Sequence, residues 1–335
     1  MHVRVAVLGL GYWGPNIARN LAAIDGCSQV VVYDLDADRR AAAERQHPGA
    51  EAATSLEAIW ADPTVEAVVI VTPVTTHAEL ATQALEAGKH VLVEKPFAIS
   101  SADARRLVDL ATQRGRVLMA GHTFLYSPPV RLVHRLIREG RVGTPLYAQS
   151  TRMNLGVHQS DVSVLWDLAP HDLSILVDWL GELPTRVSAI GRATHGTARA
   201  DVAFVDLVFP SGCIASLHLS WLAPTKVRRT TLVGTQRMIV YEDTNGDEPV
   251  KVYDKGLEMP DPEDFGQHRL TYRTGDVLSP HVDVVEPLRA ELQDFLMRIS
   301  KGELPDERED TAVEIVRTIE AAERSLESGG EPVRL

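Results

Sequence analysis

A chain of 335 residues exceeds what one ordinary hydrophobic core organises, so two domains are expected. With 44% hydrophobic and 24% charged residues, the composition is that of a globular protein and excludes a disordered one. The formal net charge of −12 excludes nucleic acid as the main partner, because phosphate backbones need a basic field; an anionic small molecule held by a few local arginines and lysines stays possible.

The first third alternates short apolar runs with helical patterns, which is the mark of βαβ units and a parallel sheet. Strands are expected at Val3–Leu8, Val30–Tyr33, Ala67–Val71, His90–Val93 and Val117–Ala120, with helices at Trp13–Ala23 and His77–Ala87. Each strand is nearly continuous in Val, Ile, Leu and Ala, as burial on both faces requires. After His122 the character changes. Pro128 and Pro129 open a helix that Gly140 stops, and a second helix spans Leu165–Leu180. Successive strands then follow at Arg186–Ile190, Val202–Phe209, Cys213–Ser220, Val227–Val233, Met238–Tyr241 and Val250–Tyr253, a series that suggests one antiparallel sheet. The polar, aperiodic stretch Asp254–Thr274 reads as a long loop, and helices at Val285–Ile299 and Thr311–Leu326 close the chain. The reading is α/β: residues 1–122 with a parallel sheet, then residues 123–335 as an α+β domain on a mostly antiparallel sheet.

Gly9-Leu10-Gly11-Tyr12-Trp13-Gly14 follows the first strand and opens the first helix. In that context Gly9 permits the tight turn, Gly11 lets the backbone approach a pyrophosphate, and Gly14 lets helix pack on strand. Phosphates are then met by N–H groups at the positive end of the helix. Asp34, twenty positions beyond Gly14 at the end of the second strand, is placed to accept from an adenosine ribose and to repel a 2′-phosphate. Arg39 and Arg40 point the other way, but read as exposed helical residues. A Rossmann domain binding NAD in preference to NADP is expected, with Gly9, Gly11, Tyr12, Trp13, Gly14 and Asp34 among its contacts.

Three further strand ends bear on the same ligand. Thr72-Pro73 ends the third strand at the carboxyl edge, where open α/β sheets bind ligands, and His77 begins the helix after it as a cap, a packing residue or a ligand neighbour. Glu94-Lys95-Pro96 follows the fourth strand, and a lysine there can donate to a substrate oxygen or move a proton. In Val164–Asp172 the residues Asp167 and His171 stand four apart, on one face of a helix. A carboxylate beside a histidine orients the ring and favours its charged form, as a general acid/base needs.

These features together resemble the Gfo/Idh/MocA family, named for glucose–fructose oxidoreductase and inositol dehydrogenase. The likeness is carried by GLGYWG, by TP…H at Thr72–His77, by EKP at Glu94–Pro96, by Asp167-x-x-x-His171, and by the closing Glu286-Pro287-Leu288 and Phe295-Leu296. It implies that Lys95 and His171 flank the reacting carbon with Asp167 in support, and that Thr72, Pro73, His77, Glu94 and Lys95 adjoin the cofactor. It also implies that the C-terminal sheet walls the substrate site and packs on another subunit in a homo-oligomer, dimer or tetramer. Gly121–Pro128, Thr151–Gly156 and LWDLAPHD resemble the branch that oxidises the 3-hydroxyl of UDP-N-acetylglucosaminuronic acid. Relatives of that branch act on other nucleotide-linked hexoses or on aminoglycoside rings. By this likeness His122, Tyr126, Arg152 and Asn154 bind substrate. Frequent Ala, Arg, Val and Asp hint at a GC-rich genome, where antibiotic-sugar pathways are common.

Other readings stay open at this stage. One is an NADP(H)-dependent 3-ketosugar reductase; another is a catalytically silent NAD-sensing regulator; a third is a redox-assisted glycosidase. The histidines form no HExxH or Cys/His cluster, so no metal is expected, and no GxSxG elbow is present. Cys27 and Cys213 lack a CxxC spacing, no basic-then-apolar leader opens the sequence, and no apolar run reaches the ~18 residues of a membrane helix. The expected setting is the cytoplasm, without membrane contact.

Overall fold

Strand β1 (Val3–Leu8) is buried at every position but Arg4, so it needs cover on both faces and belongs inside a parallel sheet. The computed structural model, which describes residues 2–156, 162–194, 199–258 and 271–335, places it there. In chain order the elements are β1, α1 (Gly14–Ala22), β2 (Cys27–Tyr33), α2 (Ala37–Gln46), β3 (Glu51–Ala52), α3 (Leu56–Ala61), β4 (Ala67–Ile70), α4 (His77–Glu86), β5 (His90–Glu94), α5 (Ser101–Arg114) and β6 (Leu118–Gly121). The six strands pair in parallel in the order β3-β2-β1-β4-β5-β6. The order reverses between β1 and β4, and it is at the carboxyl ends beside such a reversal that open α/β sheets bind ligands. Pro15 sits in the first turn of α1, where its missing N–H costs nothing. Ser100 caps α5 by accepting from the Asp103 N–H, and left-handed Gly115 ends it.

The chain continues through α6 (Pro128–Arg138), β7 (Pro145–Met153), α7 (Val164–Leu180), β8 (Arg186–Arg192), β9 (Val202–Val208), β10 (Ile214–Ser220), β11 (Val227–Gly234), β12 (Met238–Glu242), β13 (Val250–Glu258) and β14 (Thr271–Leu278). Helices α8 (Pro287–Lys301) and α9 (Glu307–Glu327) and the short β15 (Val333–Arg334) complete it. The second sheet runs β14-β13-β12-β11-β7-β10-β9-β8-β15, antiparallel except for the β7–β10 pair. Strand β9 alternates strictly: it buries Ala203, Val205 and Leu207 while Phe204 and Asp206 face outward. Helix α7 covers the inner face, against β7, β9 and β10. Among the described residues no helix is long and apolar enough to cross a membrane.

Two compact units result, one of Met1–Tyr126 with Val285–Glu320, the other of Ser127–Val284 with Ala321–Leu335. The division differs from the expected 123–335 second domain, because α8 returns to the first unit. Its Leu288, Leu292, Phe295 and Ile299 lie in one buried cluster with Val3, Val5, Ile17 and Leu21. A single apolar stripe cannot announce which sheet it will cover. The expected loop at Asp254–Thr274 is also corrected at both ends, since β13 extends to Glu258 and β14 begins at Thr271; residues 259–270 lie outside the described residues. These two strands pair Lys255 with Thr274 and are tied by Arg273 Nε to Asp254 Oδ1 at 3.2 Å. Cross-strand charge leaves no apolar alternation to read.

Candidate active site

The glycine-rich turn is forced by contacts. Gly9 has φ +97°, and a Cβ there would lie 2.7 Å from the Val71 carbonyl oxygen; a Cβ on Gly14 would overlap the Gly9 carbonyl. Around Gly11 the opposite holds: no atom lies within 4 Å of where its Cβ would stand, so a pyrophosphate can reach the backbone. Asp34 Oδ2 accepts from the Leu10 N–H at 2.7 Å, and Oδ1 from the Asp36 N–H at 2.9 Å. The carboxylate thus stands at the rim of the turn, with Arg39 3.6 Å from it. Arg40 donates to the Asp34 backbone carbonyl at 2.6 Å. Both arginines therefore lean on the acidic strand end, which weakens them as receptors for a 2′-phosphate. The open Gly11 backbone and the Asp34 carboxylate fit a dinucleotide with a free ribose 2′-hydroxyl.

The other strand ends of this unit are bound to one another. Glu94, buried at the end of β5, accepts from the Trp13 indole N–H at 2.9 Å and from the Lys95 backbone N–H at 3.1 Å. Tyr12 is 94% exposed and stacks on Trp13. Pro73 is exposed, Thr72 half-buried, and the Thr72 and Thr76 hydroxyls lie 2.7 Å apart. His77 is buried, with Nε2 2.8 Å from the Thr72 carbonyl oxygen and Nδ1 2.8 Å from that of Pro96. Lys95 is partly buried, and the Lys95–Pro96 peptide is cis.

His122, just past β6, is buried, and neither ring nitrogen has a hydrogen-bond partner among the described residues; burial pushes the ring down to about 4. The Tyr126 hydroxyl donates to Asp294 Oδ2 at 2.7 Å. Thr123 donates to Glu291 Oε2 at 2.7 Å. Burial, with the Glu94 charge behind it, holds the Glu291 carboxyl well above the ordinary carboxylate range; burial also raises Glu94, against the pull of Lys95. Neither Glu291 nor the Trp13–Glu94 bond was anticipated from sequence. The one visible signal for Glu291 was a carboxylate inside the apolar stripe of Leu288, Leu292 and Phe295.

In the second unit, Asp167 and His171 share a face of α7 near its start. Pro170 lies inside this helix and withdraws one backbone donor immediately before His171. Asp167 Oδ2 accepts from the buried Trp221 indole N–H at 2.9 Å, a partner the sequence did not indicate. Arg152 is 4% exposed and clamps Asp172 with Nε and Nη2 at 2.9 and 3.0 Å. Ser150 donates to the same carboxylate at 3.0 Å. Arg152 therefore anchors α7, next to His171, on strand β7. The Asn154 N–H bonds to the Ser220 carbonyl at 3.2 Å, at the same end of the sheet, and its side chain is half-buried.

Comparison with known proteins covers both parts of the chain. Residues 3–122 match the family model described as an oxidoreductase family with an NAD-binding Rossmann fold, and residues 130–240 match the GFO/IDH/MocA C-terminal domain. UDP-N-acetylglucosamine 3-dehydrogenase of Acidithiobacillus ferrooxidans is 33% identical over 260 residues, which are 76% of this chain and 78% of that protein. Its crystal structure superposes with a TM-score of 0.80 and 27% identity over 98% of each chain. GenD2 from gentamicin A biosynthesis, solved in complex with NAD, superposes with a TM-score of 0.83 and 26% identity over 100% of this chain and 96% of that one. The chain belongs to the Gfo/Idh/MocA family of NAD-binding oxidoreductases.

Proposed function

We propose that this enzyme oxidises a secondary hydroxyl, the 3-hydroxyl, of a hexose ring in a nucleotide sugar or an aminoglycoside, giving a 3-keto sugar. The observation that carries the reading is Lys95 at the carboxyl end of β5, one residue beyond a glutamate that is itself bonded to the glycine-rich turn. Bound NAD⁺ supplies the acceptor for the hydride that leaves the ring carbon. His171, oriented by Asp167, takes the hydroxyl proton, and Lys95 donates to the same oxygen as negative charge develops on it. His122 and Asn154 contact the sugar; Tyr126 and Arg152, engaged by Asp294 and Asp172, shape the site instead.

The two similar proteins named above support this substrate class, one by its name and the other by its pathway. Homo-oligomerisation through the second sheet is part of the same reading. Tyr147, Ile190, Phe204 and Ile214 expose 44 to 56% of their surface on its outer side, and such apolar area invites a partner. The free thiols Cys27 and Cys213 suit the cytoplasm.

The test is NADH formation against UDP-sugars, dTDP-sugars and aminoglycosides, with the product identified by NMR. A 3-keto sugar formed with equimolar NADH supports the reading. A reaction running only with NADPH toward the alcohol would make the enzyme a reductase. Cleavage of a glycoside without net NADH would make it a glycosidase, and tight NAD binding with no turnover a sensor.

A further inference from the structure

We propose that His77 is a positioning residue for Lys95, an inference that rests on the role just given to that lysine. The β4–β5 ladder ends at the pair Ile70–Val93, so beyond it the backbone bonds of the sheet no longer tie the two strand ends together. On the far side, Glu94 is still held by its pairing with Gly121 of β6. Lys95 is the next residue, and Pro96 follows it. The His77 ring lies 2.8 Å from the Pro96 carbonyl oxygen and 2.8 Å from that of Thr72, and so replaces the missing ladder with a side-chain bridge. Lys95 is thus fixed at both ends, by β6 through Glu94 and by His77 through Pro96.

The ring is not an ordinary helix cap. His77 is the first residue of α4, yet its partners are carbonyls rather than the N–H groups a cap must satisfy. A neutral imidazole can donate to only one of these carbonyls, with the lone pair of its other nitrogen left facing an oxygen; the imidazolium donates to both. In either form a rigid ring only 1% exposed sets the spacing between the two strand ends. The dinucleotide fingerprint and Asp34 lie on other strand ends, so NAD affinity is measured apart from the placement of Lys95.

The experiment compares His77→Leu, an apolar replacement, with His77→Gln, which restores one donor. NAD affinity is measured by tryptophan fluorescence without turnover, and kcat separately. In His77→Leu, kcat should fall at least about tenfold while the NAD Kd stays within about threefold, and His77→Gln should recover part of the kcat. Unchanged kcat in His77→Leu overturns the proposal. A parallel fall of kcat and NAD affinity that glutamine does not relieve also overturns it, because it indicates a general structural role. Should His77→Leu fail to fold, His77→Gln decides alone: a fall in kcat with NAD affinity kept supports the proposal, and any other outcome overturns it. Lys95→Met separates the underlying reading: near-full turnover there removes the role of Lys95 itself. An inactive Lys95→Met beside a normal His77→Leu removes only the bridge.

Discussion

The indole N–H of Trp13 donates to the Glu94 carboxylate at 2.9 Å, so one part-buried bond joins the glycine-rich turn to the strand end that carries Lys95. Glu94→Ala removes this acceptor and the one for the Lys95 N–H. A bond to a charged group contributes about 2 kcal/mol net, so the urea midpoint should drop accordingly. NAD affinity should weaken with it, read by calorimetric titration. A variant as stable and as tightly binding as wild type would show that the bond holds nothing.

Asp34 accepts from Leu10 in the turn and keeps Arg39 close. Asp34→Ala should lower NAD affinity and release Arg39 toward a 2′-phosphate. The ratio of NAD to NADP affinities is expected to fall by about tenfold or more, roughly one charged contact's worth. Titration of both dinucleotides against both proteins checks it.

Trp221 is to Asp167 what Trp13 is to Glu94: an indole N–H, here also at 2.9 Å, on a carboxylate of the proposed site. Trp221→Phe keeps the ring and deletes the donor. With one neutral-to-charged hydrogen bond lost, kcat should fall roughly tenfold while NAD affinity is unchanged. Equal kcat in the two proteins would detach Trp221 from the chemistry.

Burial pushes His122 from its ordinary 6.5 down to about 4, so its neutral form belongs to the folded state. A group depressed in this way contributes stability above its unfolded value, and that stability is lost as pH falls through the folded one. Between pH 6.5 and 4 the loss should approach roughly 3 kcal/mol, at 1.36 kcal/mol per pH unit. His122→Phe buries no unpartnered nitrogen, and should flatten this acid limb while leaving stability at pH 7 unchanged or raised. Denaturant midpoints across the range decide it, and substrate KM should rise in the same variant.

Much of the first unit was legible because local pattern and function coincide there. The continuous apolar strand Val3–Leu8, the three glycines and Asp34 all lie within one βαβ unit, where spacing alone implies proximity. The Asp167–His171 pair was readable for the same reason, being four residues apart on a helix. The partners that hold these groups were not: Trp13 and Glu94 are 81 positions apart, Asp167 and Trp221 54, Thr123 and Glu291 168. Such contacts are set by how strands and helices pack, which residue spacing does not encode. The Arg152–Asp172 ion pair was also not readable: Asp172 closes the LWDLAPHD motif, but the strand residue whose guanidinium it meets lies 20 positions earlier. Helix α8 was visible as a helix, but its return to the first unit depends on which apolar surface it covers.

Lys95 and His171 are proposed to act on the oxygen and the proton of a ring hydroxyl as it is oxidised. The most direct test is NADH absorbance in a screen of nucleotide sugars and aminoglycosides, run with wild type, Lys95→Met and His171→Ala, each first shown to bind NAD. NADH and a C3 carbonyl are expected from at least one wild-type reaction, and a loss of at least about a thousandfold in both variants with NAD binding retained. Near-full turnover in either variant, or no NADH from any sugar, would contradict these roles.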